Sequence, residues 1–263
     1  SKTEEIKLKN TSELNYFKFL NDIYDAGGLL FYVATDSYIN SESIVNTHKK
    51  TQADKIRINI PLMKHQSMKQ SLHELANRVE SLPPQLYVQL LCQVDLIHDI
   101  LNRGILYFAQ KDPITLRRFK WRIDQKDNTK TSYESAFETI APGLLQTKSF
   151  KDPSIFLKEG DYSHMKPFLL ASDSIPKYLE KSSGIRIKSG LDVGRIIRAD
   201  MEFPDSKADL SVQISDLLAS GVRRCLRNEF DNNLRASQLL GKLMLSNLTK
   251  SQPIKLISLS TAK

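Results

Sequence analysis

The stretch from Ile196 to Arg227 most constrains what this chain can fold into. It opens on Ile196-Ile197-Arg198-Ala199-Asp200-Met201-Glu202-Phe203, which reads as a strand stopped by Pro204. The turn Asp205-Ser206-Lys207 follows, then an amphipathic helix running to Arg227. At 100° per residue, Leu210, Ile214, Leu217, Leu218, Gly221 and Cys225 fall on one stripe, the face expected to be buried. Asp209, Gln213, Asp216, Ser220, Arg223 and Arg227 fall on a second stripe. A charged stripe usually faces water. Gln213, Asp216 and Ser220 are shorter than the Lys and Glu of a purely solvating face, so a ligand site is the competing reading. A strand that hands over to a helix through a turn is where α/β proteins commonly build such sites.

Earlier segments alternate between helical and strand patterns. Leu14, Phe17, Leu20 and Ile23 keep helical spacing up to Gly27-Gly28. Leu29 to Ala34 is an apolar run suited to a buried central strand ending near Asp36, an acid that serves equally as turn former or site candidate. Residues 40–60 read as a polar loop or insertion. Met63 to Ser81 predicts a helix, and Gln85 to Gln110 a longer one, with Leu90, Val94, Ile97, Leu101, Ile105 and Phe108 three or four apart. Asp95, His98 and Asp99 share a face of that helix. With no matching His or Cys pair elsewhere, they read as a surface acid–His cluster rather than a zinc site.

Leu116 to Asp124 predicts a strand in which Leu116, Phe119, Trp121 and Ile123 are interleaved with Arg117, Arg118, Lys120 and Arg122. Cations among aromatics suit phosphate contacts with stacking, while an edge strand protected by charge has the same pattern. Ser132 to Ile140 reads as a helix stopped at Pro142-Gly143. His164 to Ala171 reads as a strand, Ser172 to Lys181 as a short helix or loop, and Leu234 to Leu248 as a last helix before a basic tail.

A length of 263 residues, 40% hydrophobic and 26% charged, is ordinary for a globular chain with an ample core. The net charge of +8 favours an acidic partner, with nucleic acid the commonest. Two cysteines, Cys92 and Cys225, in no metal-ligand spacing fit a reduced, cytoplasmic setting. No apolar run is long enough to span a membrane, and no membrane partner is expected. Walker, glycine-rich phosphate-loop and nucleophile-elbow motifs are absent.

Three pieces together carry a family resemblance: Arg122-Ile123-Asp124 at a strand end, Phe203-Pro204-Asp205-Ser206-Lys207, and Gln213-Ile214-Ser215-Asp216-Leu217-Leu218-Ala219. They resemble the bacterial domain-of-unknown-function family 3800, whose helix motif reads Gln, apolar, Ala, Asp, Leu, apolar, Ala. This chain departs only by Ser215. Lys7, in Glu5-Ile6-Lys7, looks like the family's Glu-x-Lys element.

The resemblance implies an α/β, ribonuclease H-like mixed sheet flanked by helices over residues 1–227. A helical insertion would span about 62–111, and residues 228–263 would form a C-terminal helix and basic tail. It also implies Asp124, Asp205 and Asp216 as catalytic ligands of Mg²⁺ or Mn²⁺. Two carboxylates about 4 Å apart repel by roughly 4 kcal/mol at an effective dielectric near 20, so such a cluster requires protonation or a cation. A cation there activates water against a phosphodiester.

Lys207, Arg117, Lys120, Arg122, Arg223 and Arg224 are the expected nucleic-acid contacts. The family opens on a strand ending Asp-Glu-Ser-Gly that has no counterpart here. The expectation is that this strand was removed, is supplied by a second copy or a partner chain, or was lost. Two functions therefore stand: a metal-dependent nuclease, or a non-catalytic nucleic-acid-binding or complex-forming subunit.

Overall fold

The computed structural model describes residues 6–125, 132–170, 190–245 and 253–260. The helix or loop expected at Ser172–Lys181 lies outside them. The described residues are 65% helix and 6% strand, with only two short parallel two-stranded sheets among them, so the ribonuclease H-like mixed sheet is a wrong expectation. The nine α-helices among the described residues are α1 (Glu13–Asp25), α2 (Glu42–Ile58), α3 (Gln66–Ser81), α4 (Pro84–Asp99), α5 (Ile105–Lys111), α6 (Ser132–Lys151), α7 (Val193–Arg198), α8 (Leu210–Leu226) and α9 (Asn233–Leu243). Strands β1 (Tyr32–Thr35) and β4 (Ile254–Ile257) form one pair, β2 (Trp121–Arg122) and β3 (Met201–Glu202) the other.

Each lost strand has a local cause. Leu29 to Ala34 supplies only β1, a half-buried strand paired on one side. Ile196-Ile197 belongs to α7, because the Asp192 carboxylate accepts the Arg195 N–H at 2.9 Å and starts a helix at Val193. Both isoleucines are then fully buried as helix residues. Pro113 opens a 3-10 turn over Pro113–Arg117, which takes Leu116 out of the expected strand. Ser163–Phe168 is likewise a 3-10 helix. Residues 42–58, expected as loop, form α2. Its buried positions Val45, Lys49 and Ala53 keep an exact spacing of four, but one of them is a lysine.

The chain divides into two compact units, and four of the divisions fall within β1, β2, β3 and β4. The first comprises residues 1–32, 122–129 and 202–255. Here α1 packs on α9, and α9 on α8, around Tyr16, Leu20, Leu217, Leu218, Val222, Phe230, Leu239 and Leu240. Each such Leu contributes about 1.5–3 kcal/mol on burial. The buried face of α8 is rotated from the expected stripe: Leu210 is 65% exposed, while Val212, Gln213 and Val222 are buried.

The second unit comprises residues 33–121, 130–201 and 256–263. α4 lies against α2 and α6, and α6 also meets α3 and α7. Leu90, Val94, Ile97, Leu101 and Ile105 are buried as their spacing predicts, and a π-turn at Ile100–Gly104 joins α4 to α5. α6 runs past Pro142 to Lys151. No helix among the described residues is long and apolar enough to cross a membrane.

Candidate nucleic-acid interface

The acids expected around a metal have local structural roles or stand apart. Asp205 Oδ1 accepts the Lys207 N–H at 2.9 Å, fixing the turn before α8. Asp209 is the N-cap of α8 and accepts the N–H groups of Ser211 at 2.8 Å and Val212 at 3.2 Å. The Ser211 hydroxyl above all, then those backbone donors and the charge of Arg122, hold its carboxyl below the usual range. Asp124, Asp205 and Asp216 are all exposed.

Hydrogen bonds from Ile123 N to Glu202 O (3.1 Å) and Gln125 N to Pro204 O (3.2 Å) extend the β2–β3 pairing in parallel register. That register sets Gln125 beside Asp205, and alternation turns Asp124 to the opposite face. Among the described residues, no group of three or more His, Cys, Asp or Glu lies close enough to hold a metal ion. The acid–His cluster on α4 is not a surface feature either. His98 is 3% exposed with a ring nitrogen 3.2 Å from the Asp152 carbonyl, Asp95 pairs with Lys148, and Asp99 pairs with Arg103. Asp36 acts as a turn former, its Oδ1 accepting the Tyr38 N–H at 2.8 Å.

The expected cations separate into two groups. In the first unit, Arg122 lies 3.4 Å from Glu202. Arg224 donates to the Glu229 carbonyl at 3.0 Å and covers the Phe230 ring at 4.6 Å, which ties it to the fold. Lys207 and Arg223 are exposed.

In the second unit, the stretch Arg117–Trp121 leaves the 3-10 turn as extended backbone. Trp121 N donates to the Asp200 carbonyl at 2.8 Å and its indole N–H to the Ile196 carbonyl at 3.1 Å. Phe119 lies parallel to Trp121 (centroids 6.5 Å, 7°) and edge-on to Phe168 at 5.3 Å. The aromatics thus anchor the segment on α7 and the 163–168 turn, while Arg117, Arg118 and Lys120 stay exposed. The Phe119 and Trp121 rings are both half-buried, so packing takes up part of each. Arg118 pairs with Asp200 at 2.7 Å.

The packed neighbours add exposed cations that the sequence reading overlooked: Lys166 on the 163–168 turn, and Arg195 and Arg198 on α7. The i, i+3 spacing of Arg195 and Arg198 was visible, but it is meaningful only on a helix. Arg117, Lys120, Lys166, Arg195 and Arg198 make no ion pair among the described residues. These five exposed cations lie on three elements that pack on one another through Phe119, Trp121 and Phe168. No family model, curated protein or solved structure matches this chain.

Proposed function

We propose that this protein binds nucleic acid without cleaving it, holding backbone phosphates on the surface built from Arg117, Lys120, Lys166, Arg195 and Arg198. The observation that carries this reading is that set of exposed cations, without ion pairs among the described residues, within a chain of net charge +8. Surface guanidinium and ammonium groups bind phosphates as charge-assisted donors and set orientation more than sequence preference. The nuclease alternative needs Asp124, Asp205 and Asp216 around one cation, and their separate turn, strand-end and helix-surface positions do not favour it.

The test is fluorescence anisotropy of a labelled oligonucleotide with the full chain, alongside a cleavage assay in Mg²⁺. Binding that weakens steeply with salt, with the oligonucleotide intact, is expected. Absence of binding at low salt would overturn the proposal. So would Mg²⁺-dependent cleavage that is lost in Asp216→Asn.

A further inference from the structure

The linker between α2 and α3 carries the largest exposed apolar side chains of the second unit on a segment with no acid. Ile58 and Leu62 are each 72% exposed and Met68 48%, on the end of α2, the 3-10 turn Ile60–Leu62 and the first turn of α3. No Asp or Glu occurs between Asp54 and Glu74, whereas Lys55, Arg57, Lys64 and Lys69 do. Arg57 donates to Asn77 at 3.0 Å and pairs with Glu80, so the end of α2 lies level with the last turns of α3. At 1.5 Å per residue, the start of α3 therefore runs on roughly 15 Å beyond that contact. Residues 64–68 are all exposed, as a projecting end requires.

We propose that this projecting end docks on an anionic lipid surface. The occupant follows from shape and charge. Exposed apolar side chains at a helix-connecting end, flanked by lysines and without acids in the segment, fit between anionic lipid headgroups. Lys55 and Lys64, both exposed, then lie at headgroup level with their stems along the apolar patch, where anionic phosphates attract them. The contact is peripheral, since no helix among the described residues is long and apolar enough to cross a bilayer. It is independent of the nucleic-acid reading, because none of the five phosphate-binding cations belongs to this segment.

The experiment sediments the full chain with vesicles of phosphatidylcholine alone or mixed with phosphatidylserine. Binding is expected only to the mixed vesicles, weakening with salt. Ile58→Ser with Leu62→Ser, and separately Lys55→Glu with Lys64→Glu, should each lower it by roughly tenfold or more. Thermal melting by circular dichroism should be unchanged in both pairs, and Leu62→Ser alone replaces the first pair if it is not. Arg117→Glu with Lys120→Glu should leave vesicle binding intact. The proposal is overturned by absence of binding to mixed vesicles, by equal binding to both kinds, or by binding that ignores the α2–α3 substitutions. It is also overturned if those substitutions weaken oligonucleotide binding instead.

Discussion

Gly221 sits where α8 comes closest to α1. A Cβ built there lies 1.6 Å from the Tyr16 hydroxyl oxygen, and that hydroxyl donates to the Leu217 carbonyl one turn earlier on α8 at 3.3 Å. The sequence placed Gly221 on the buried stripe but could not show that a tyrosine fills the missing side chain's space. Gly221→Ala must push Tyr16 aside and should cost about 1–3 kcal/mol in denaturant unfolding. His48 gives a residue-scale test in pH. Burial first, and the charge of Lys55 second, lower its pKa from the ordinary 6.5, while a ring nitrogen stays 2.9 Å from the Tyr87 hydroxyl. The unfolded chain therefore binds this proton more readily than the folded one. Stability should rise with pH from below the lowered folded pKa up to about 6.5, then level off. His48→Asn should flatten that part of the stability–pH curve, and an unchanged slope would exclude His48 as its source.

Among the elements, α1, α4 and α5 were legible because their buried positions are nearly all apolar, so periodicity alone located them. α2 was not, because its buried stripe includes Lys49. That ammonium donates to the Leu82 carbonyl just past α3 at 2.7 Å, a partner no sequence pattern reveals. The strands failed for a different reason. Short apolar runs such as Ile196-Ile197 fit a buried helix as well as a strand, and the Asp192 cap decides between them. The C-terminal strand also depends on a distant polar group. The buried Asn40 amide donates to the Ile257 carbonyl at 2.9 Å and to Thr35 Oγ1 at 2.6 Å, and it accepts from Leu259 N at 2.7 Å. Asn40→Ala should cost about 2–3 kcal/mol. It should also speed hydrogen exchange at Leu259 selectively, whereas uniform exchange across the second unit would assign Asn40 a general packing role.

For the molecule as a whole, the basic balance was legible from composition, and the exposure of Arg117 and Lys120 was legible from the aromatic–cation alternation. The exposed Lys166, Arg195 and Arg198 were not linked to them, because only the packing of α7 and the 163–168 turn brings those elements together. The expected metal ligands Asp124, Asp205 and Asp216 came from the family resemblance, and Asp205 shows how a turn acid can carry such a motif for a local reason. Asp and Ser next to a helix start satisfy backbone donors as naturally as they bind cations, and Asp205 and Asp209 do the former. Asp216, exposed on α8, should therefore be replaceable by Asn without loss of oligonucleotide affinity.

The central claim is that phosphates are held by the surface around Arg117. Its most direct test is the salt dependence of oligonucleotide affinity for the full chain and for Arg117→Ala/Lys120→Ala/Arg198→Ala. The account predicts a linear fall of log affinity with log salt, whose slope becomes shallower by about 2–3 in the variant, with melting unchanged. An identical slope in the two proteins would contradict it.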